Sequence, residues 1–340
     1  MNYYYSLLSA TEKRAYQEIV QAIACRQRTV RLKRTITENN LSSVLQAVNY
    51  DHPEFYYVDF HCNPYQIHGF ELVLELQYLY AERILADVQV DIECKIQTAL
   101  KEIVGNGTFS PYQHIRRIHN YIVKHVKYDY EALQTPNMHP DAYNIAGVFV
   151  DRLAVCEGIA KAFHLLCSRL NIDSLIIFGK SSSTLVGIDL PHAWNICCLD
   201  SKYVHIDATW DIAASSVSRY TRYDYFCISD DEILRDHRPE GHYPICDING
   251  KLSYFHQTHR LFTSPREVKE HISKELSSFS DVLYFKLSAP SERMMQLHDR
   301  INSLIEKILS NTQSGAFSCE MAHNLEQGVF FYRINRRDGG

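Results

Sequence analysis

Cys156 is the residue of this 340-residue chain whose position most clearly favours chemistry. It opens a segment in which apolar residues recur at helical spacing as far as Leu170. The sulfur is therefore expected to face the unpaired N–H groups and the positive dipole end of a helix. Because the thiolate is the nucleophilic form and helix N-termini favour it, this position predicts an activated cysteine. The competing interpretation is a small residue that packs where a loop meets the helix.

A predicted β-hairpin supplies partners for that thiol. Residues 192–199 and 203–210 have the pattern of two strands with a short loop between them. With a two-residue loop, the register places Asp207 opposite Trp194 and one diagonal step from His192, on the same face. His192 can then serve as base or ion-pair partner of the thiol, and Asp207 can orient its ring. A three-residue loop would put Asp207 on the wrong face.

Three segments together resemble the signatures of the transglutaminase-like superfamily of papain-type thiol enzymes, namely Val-Cys-Glu-Gly at 155–158, His-Ala-Trp-Asn at 192–195 and Asp-Ala-Thr-Trp-Asp at 207–211. Their order and spacing match, and the resemblance covers residues 111–244, where it is close to bacterial transglutaminase-core proteins of unassigned substrate. The resemblance implies the roles of nucleophile for Cys156, general base and acid for His192, and orienting carboxylate for Asp207.

Two positions beside the cysteine depart from the pattern of many relatives. Glu157 stands where Gln is common, and Ile159 stands where Tyr is frequent. Glu157 either opposes the thiolate through its like charge or points into solvent, and the sequence leaves both open. Gly158 is interpreted as a packing residue that lets the first helical turn approach another backbone closely.

The implied reaction is thiol-dependent acyl transfer on a peptide or protein amide through a thioester. Water would resolve the thioester in a cysteine peptidase or a glutamine deamidase, and an amine would resolve it in a transglutaminase. We favour hydrolysis slightly, because no feature of the sequence marks an amine-acceptor tunnel. The backbone N–H of Cys156 is the natural first oxyanion donor. Candidates for the second oxyanion donor are Trp194, Tyr143 and Asn144. Trp194 could instead pack in the core of the hairpin, and Tyr143 and Asn144 could instead begin the buried segment 145–150.

The other cysteines and the 17 histidines predict no metal or cofactor. No C-x-x-C pair exists among the ten cysteines, so the remaining nine are interpreted as packing residues in a reducing compartment. Zinc is disfavoured because no helix-turn or knuckle spacing occurs in the two mixed groups, which are His61, Cys62 and His68, and His192, Cys198 and His205. Calcium is disfavoured because there is no D-x-[DN]-x-[DN]-G loop. His237 and His242, beside a proline and a glycine, are expected in a surface loop.

Composition excludes several classes of partner. Lys and Arg number 35 against 40 Asp and Glu, so the formal charge of −5 gives no basic bias toward nucleic acid or anionic lipid. No run approaches 18 apolar residues, and the N-terminus lacks the pattern of a signal peptide. We therefore expect a cytoplasmic protein that binds neither nucleic acid nor membrane and acts on a peptide or protein. Its oligomeric state is not predicted.

The predicted class is α+β, with a papain-like core of helix and antiparallel sheet between N- and C-terminal α/β domains. The boundaries are 1–104, 105–245 and 246–340, the first being marked by Gly-Asn-Gly at 105–107. Other expected elements include a capped helix from Ser9, a long half-buried strand over 70–80, a polar loop over 131–141, a strand over 282–287 and a final strand over 329–334.

A different class of function is a catalytically silent binding or scaffolding module that kept the fold and lost the reaction. An inactive relative usually loses a triad residue, and all three are present here in the expected order, so the enzyme is favoured. The flanking domains would then recruit or gate substrates, or only support the core.

Overall fold

The computed structural model describes residues 2–33, 35–60, 64–182, 189–247, 251–278, 280–312 and 317–336. In chain order, its helices are α1 Tyr3–Leu7, α2 Ala10–Ala24, α3 Glu38–Asp51, α4 Glu82–Val104, α5 Pro111–His125, α6 Tyr130–Gln134, α7 Cys156–Arg169, α8 Ala208–Ser218, α9 Asp230–Ile233, α10 Tyr254–Gln257, α11 Pro265–Ser277 and α12 Ser291–Thr312. Shorter helical turns occur at Pro53–Phe55, Pro136–Met138, Pro140–Tyr143 and Gly147–Asp151.

The strands are β1 Thr29–Lys33, β2 Tyr65–His68, β3 Glu71–Glu75, β4 Lys127–Tyr128, β5 Leu153–Ala154, β6 Ser174–Ser182, β7 Asp189–Leu199, β8 Lys202–Ile206, β9 Phe226–Ile228, β10 His237–Pro239, β11 Leu261–Phe262, β12 Val282–Leu287, β13 Phe317–Met321 and β14 Val329–Arg336. The sheets have the orders β1-β3-β2, β10-β6-β7-β8-β9 and β11-β12-β14-β13, and β4 pairs with β5. This mixture of helices and largely antiparallel sheets confirms the predicted α+β class.

The chain divides into two compact units. The first comprises residues 1–178 and 192–201, and the second comprises residues 179–191 and 202–340. Cys156 and His192 therefore belong to the first unit, and Asp207 belongs to the second. The three domains expected from the sequence stay a prediction.

The first unit is built around α7. This helix is buried on nearly every side, from Gly158 to Cys167, which is typical of a helix in the centre of a core. It packs against α5 and against the helical turns that precede it. The start of α5 has a capping box, in which Ser110 and Gln113 exchange hydrogen bonds between side chain and backbone. The same device starts α2, where Ser9 pairs with Glu12, and the predicted capped helix from Ser9 is confirmed.

The second unit contains the β11-β12-β14-β13 sheet with α11 and α12 packed on one side. Their shared core includes Val268 and Ile272 of α11, Ile301 of α12, and Phe285 and Phe330 of the sheet. The expected strand at 282–287 is confirmed as β12, and the expected final strand is confirmed as β14. β13, which pairs with β14, was not predicted.

Three expected elements are wrong in extent. The long strand over 70–80 is only β3, because its partners β1 and β2 are short and the ladder ends with them. The polar loop over 131–141 contains α6 and two helical turns. The second strand of the hairpin ends at Ile206, and residues 208–210 start α8 instead. The two-residue loop of that hairpin is confirmed, since both of its residues have the positive φ angles that such a turn requires.

A buried ion pair fixes the segment that follows α8 in the second unit. Nε and Nη2 of Arg222 donate to the two carboxylate oxygens of Asp224 at 2.9 and 2.7 Å. The guanidinium also donates to the carbonyl of Ala322 at 2.6 Å, and the hydroxyl of Tyr284 donates to Asp224 at 2.9 Å. Both charged side chains are buried, so each depends on its partner.

Replacement of Asp224 by Ala is expected to lower the free energy of unfolding by about 3–5 kcal/mol, because it leaves the Arg222 guanidinium buried without its counter-charge. Chemical denaturation followed by circular dichroism measures this loss. The control is Arg266→Ala, which removes a pair with Glu270 whose side chains are 88% and 67% exposed and should leave stability unchanged. Similar losses in the two variants would contradict this account.

Candidate active site around Cys156

Cys156 is the first residue of α7, as its sequence position predicts. The residue before it, Val155, is the N-cap, and it offers no side-chain acceptor to the first turn. By contrast, hydroxyl or carboxylate side chains cap α2, α3, α5, α8 and α11. The side chain of Cys156 is partly exposed. Its sulfur therefore lies at a helix N-terminus to which the N-cap offers no side-chain acceptor.

The backbone around Gly158 determines where this N-terminus lies. A Cβ atom at Gly158 would stand 2.4 Å from the carbonyl oxygen of Ala142 and 2.9 Å from that of Asn144. The N–H of Val155 also donates to the carbonyl of Ala142 at 3.0 Å. The packing role predicted for Gly158 is therefore confirmed, because only glycine permits this approach.

The side chain of Glu157 is largely buried and is paired with a positive charge. Its Oε1 lies 2.8 Å from Nζ of Lys161 one turn along α7, and both side chains are largely buried. Nδ2 of Asn49 donates to the same oxygen at 3.4 Å, and Nζ of Lys161 also donates to the carbonyl of Tyr143 at 3.2 Å. The interpretation in which Glu157 points into solvent is wrong. The ammonium of Lys161 offsets the charge that the carboxylate adds near the thiol.

Tyr143 lies close to this end of α7. Its pKa is raised, first by burial and then by the nearby Cys156 and Glu157. Its hydroxyl donates to the carbonyl of Ala132 at 3.0 Å, so the single proton of this phenol already has an acceptor.

Asn144 holds the loop before α7. Its Nδ2 donates to the carbonyl of Pro140 and to Oδ1 of Asp141, at 3.3 and 3.2 Å, and its Oδ1 accepts from the N–H of Ala146 at 2.7 Å. In this geometry the side-chain amide of Asn144 stabilises the loop through these hydrogen bonds. The backbone N–H of Cys156 therefore stays the first candidate for an oxyanion donor.

His192 and Trp194 lie on β7, and both are buried. Their rings stack, with centroids 5.8 Å apart and an angle of 19° between the planes. Nδ2 of Asn195 donates to the carbonyl of Ala160 at 3.0 Å and so ties β7 to α7. Cys156 packs against a small cluster that includes Ala193, the neighbour of His192. Within the first unit, the structure thus brings β7 to the N-terminal part of α7.

Asp207 caps α8 in the second unit. Its Oδ1 accepts from the N–H groups of Thr209 and Trp210 at 2.9 and 3.1 Å. Its Oδ2 lies 3.1 Å from Nε2 of His237, and the carboxylate is fully buried. The sequence predicted this residue on a strand, and the structure shows it one residue beyond the end of β8.

His237 is the residue that the sequence interpretation assigned wrongly. It is a buried residue on strand β10, opposite Ser181 of β6, and does not lie in a surface loop. Pro239 and Gly241 suggested a loop, but a proline is tolerated on an edge strand such as β10. No spacing along the chain links His237 to Asp207, so only tertiary structure could identify the contact. His242, by contrast, is exposed outside the regular elements, as expected.

The nine cysteines that the structure describes fall into three groups. Cys25 and Cys94 are exposed, so the expectation that they pack in the interior is wrong. The buried ones are Cys167, Cys197, Cys227 and Cys246, and the partly exposed ones are Cys156, Cys198 and Cys319. Burial raises the pKa of the Cys246 and Cys319 thiols. Cys62 lies outside the described residues.

His205 was considered as a zinc ligand together with His192 and Cys198, but the structure places it in a different group. His205 lies with Asp230 and Cys246, and the three possible ligand atoms are within 4.8 Å of one another. The contact actually formed is a hydrogen bond of 2.8 Å between Nε2 of His205 and Oδ1 of Asp230. A divalent ion held here would have to replace it. His61 and Cys62 lie outside the described residues, as does the side chain of His68.

Residues 98–208 match the family model of the transglutaminase-like superfamily. This segment contains Cys156, His192 and Asp207, and its match to this family model agrees with the sequence resemblance. In the part of the chain that the structure describes, no helix has both the length and the apolar character needed to cross a bilayer.

Individual relatives are more distant. The chain is 23% identical over 160 residues to the kyphoscoliosis peptidase of Mus musculus, a match that covers 43% of this chain and 24% of that protein. The human kyphoscoliosis peptidase is 22% identical over 159 residues, with the same shares. The chain thus spans about a quarter of the length of these relatives. A solved structure described as a TGase is 15% identical, covers 53% of this chain and 50% of its own, and superimposes with a TM-score of 0.31.

Replacement of Gly158 by Ala is expected to lower the free energy of unfolding by about 1–3 kcal/mol, because the new methyl group meets two backbone carbonyl oxygens that cannot move aside. Urea denaturation measures the change. The matched control is Gly107→Ala, whose Cβ would meet only the ring tip of Phe109 at 2.8 Å, and a side chain can rotate away. Equal losses in the two variants would argue against a special role for Gly158.

Proposed function

We propose that this protein is a thiol-dependent acyl-transfer enzyme that acts on a peptide or protein amide, with Cys156 as its nucleophile. The single observation that carries the proposal is the position of Cys156, partly exposed at the N-terminus of α7, where the N-cap offers no side-chain acceptor. Among the described cysteines only Cys156 begins a helix. The matched family segment over 98–208 supports the same assignment, because it contains the proposed base and the proposed carboxylate as well.

His192 is the proposed base and acid. The hydrogen bond from Asn195 to α7, and the packing of Cys156 against the cluster that includes Ala193, support a position of His192 near the thiol. The imidazole ring stacks on Trp194, and this contact restricts its rotation. Less conformational entropy is therefore lost when the ring takes its reactive orientation.

Asp207 is the proposed orienting carboxylate. Its support is the two-residue loop between β7 and β8, which is the loop length that the predicted register of Asp207 and His192 requires. The N–H groups of α8 hold the carboxylate in one orientation. A fixed carboxylate keeps an imidazole in one tautomer and stabilises its cationic form.

In the proposed reaction, the thiolate of Cys156 attacks the carbonyl carbon of the amide. A C–S bond forms, and the carbonyl π electrons move to the oxygen, where the backbone N–H of Cys156 stabilises the negative charge. The C–N bond then breaks, and the imidazolium of His192 gives its proton to the departing amine. Water attacks the resulting thioester, His192 takes its proton, and cleavage of the C–S bond releases the acid and restores the thiolate.

Hydrolysis is proposed in preference to cross-linking. The curated relatives are described as peptidases, and the sequence has no feature that marks a site for an amine acceptor. Because the chain spans 24% of those relatives, the class of substrate is part of the proposal. A transglutaminase reaction of the same thioester is the alternative for the second half of the cycle.

Iodoacetamide at pH 7 should alkylate Cys156 about tenfold faster than Cys25 and Cys94, since an ordinary thiol is only a few per cent ionised there. Site-resolved mass spectrometry measures the three rates in one sample, and the two exposed cysteines serve as internal references. His192→Ala should remove the difference and leave the reference rates unchanged. If Cys156 reacts no faster than the two reference cysteines in the wild-type protein, the proposal of an activated thiol is wrong. The catalytically silent binding module is then favoured.

The second half of the cycle can be tested with casein as a general protein substrate and a fluorescent primary amine. We expect new peptide termini or released ammonia without incorporation of the amine, and loss of both products in Cys156→Ala. Incorporation of the amine that Cys156→Ala abolishes would replace hydrolysis by cross-linking. Products that persist in Cys156→Ala would contradict the assignment of the nucleophile.

A further inference from the structure

Behind Asp207, the second unit contains a buried chain of hydrogen bonds that the proposed reaction does not itself use. It is formed by Asp207, His237, Asp236, Tyr225, Gln327 and Asn324, which we call the His237 cluster. Polar groups are costly to bury, and a cluster of this size needs a reason.

The imidazole of His237 bridges two carboxylates. Its Nδ1 lies 2.6 Å from Oδ1 of Asp236 and its Nε2 lies 3.1 Å from Oδ2 of Asp207. All three side chains are buried. An ionised carboxylate only accepts hydrogen bonds, so each ring nitrogen is placed to donate to the carboxylate that it contacts.

The remainder of the cluster fixes the far carboxylate. The hydroxyl of Tyr225 and Nε2 of Gln327 donate to Oδ2 of Asp236 at 2.7 and 3.0 Å. Nδ2 of Asn324 in turn donates to the hydroxyl of Tyr225 at 3.1 Å. Asn324 and Gln327 belong to the connection between β13 and β14, so a late part of the chain supports Asp236.

Aromatic rings hold the imidazole plane. The ring of Trp210 lies 4.8 Å from that of His237, and the ring of Tyr225 lies 5.5 Å away. Trp210 also donates its backbone N–H to Asp207, so the same residue contacts both members of the pair. The orientation of His237 is therefore determined by packing as well as by hydrogen bonds.

The acceptor positions of Asp207 suggest what His237 does. Oδ1 accepts two N–H groups from α8, which occupy its two lone pairs. Oδ2 lies 3.1 Å from Nε2 of His237, so this imidazole is placed to hold the second oxygen of the carboxylate. Without His237, the buried carboxylate would lose a charge-assisted donor and would become harder to keep ionised and in one orientation.

We propose that His237 is a positioning residue, which holds the carboxylate of Asp207 ionised and oriented so that Asp207 can in turn orient the catalytic imidazole. This inference rests on the proposed function. It assigns to the β13–β14 connection a part in the reaction, since that connection fixes Asp236, which fixes His237. The competing interpretation is a cluster that only stabilises the fold.

A pair of substitutions separates these interpretations. In His237→Gln the side-chain Nε2 can reach the position of the imidazole Nε2 and still donate to Asp207. In His237→Asn the shorter amide can replace only Nδ1 and donate to Asp236. The probe is the alkylation rate of Cys156 by iodoacetamide at pH 7, measured against Cys25 in the same sample, with thermal unfolding to confirm the fold.

We expect His237→Asn to slow alkylation of Cys156 on the order of tenfold, the equivalent of a lost hydrogen bond to a charged group. His237→Gln should remain within about twofold of the wild-type rate, because its donor to Asp207 is kept. Cys25 should react at the same rate in every variant. Rates that fall equally in both variants would indicate a role in packing alone and overturn the proposal, as would wild-type rates in both.

Asp207→Ala distinguishes failure of this inference from failure of the proposed function. If Asp207→Ala slows Cys156 and His237→Asn does not, only the role of His237 is wrong. If Asp207→Ala leaves the rate unchanged, the proposed carboxylate itself is wrong. Should His237→Asn not fold, Tyr225→Phe removes one donor to Asp236 and keeps the ring, and it should slow Cys156 about threefold. An unchanged rate in that variant would overturn the proposal.

Discussion

The close contact between the backbone at Gly158 and the carbonyl oxygens of Ala142 and Asn144 is the constraint on which the first unit depends. It seats the first turn of α7 against the preceding loop with no space for a side chain. Because α7 is buried on nearly every side, its N-terminus cannot shift independently of the core. The position of Cys156, partly exposed at that N-terminus, is therefore a consequence of packing and not of a flexible loop.

Charges near this point are paired rather than left to solvent. Glu157 and Lys161 neutralise each other one turn apart, and Lys161 also holds the carbonyl of Tyr143. The second unit follows the same rule with Arg222 and Asp224. A buried charge without a partner costs several kcal/mol, so these pairs make the surrounding backbone intolerant of change. Such rigidity suits a proposed site in which small displacements would weaken catalysis.

The sequence predicted elements well where the signal is local. The capped helix expected from Ser9 is present, because the reciprocal hydrogen bonds of a capping box involve residues only three apart. The strand expected over 70–80 fails after Glu75, because alternation of apolar residues does not reveal how long the partner strands are. The predicted second strand of the hairpin is also too long, since it ends at Ile206. Asp207 instead caps helix α8, because its side chain can bind backbone N–H groups at a helix start as an alternative to continuing the strand.

By itself the sequence determined the candidate nucleophile, the candidate imidazole and carboxylate, and the transglutaminase-like class, because their residue types, order and spacing are properties of the chain. Tertiary structure alone decided that Glu157 pairs with Lys161 in a buried position and that His237 faces Asp207. Asp207 and His237 are 30 residues apart, and Tyr225 and Asn324 are 99 apart. Contacts over such separations depend on how sheets and helices pack, and no periodicity along the chain encodes them.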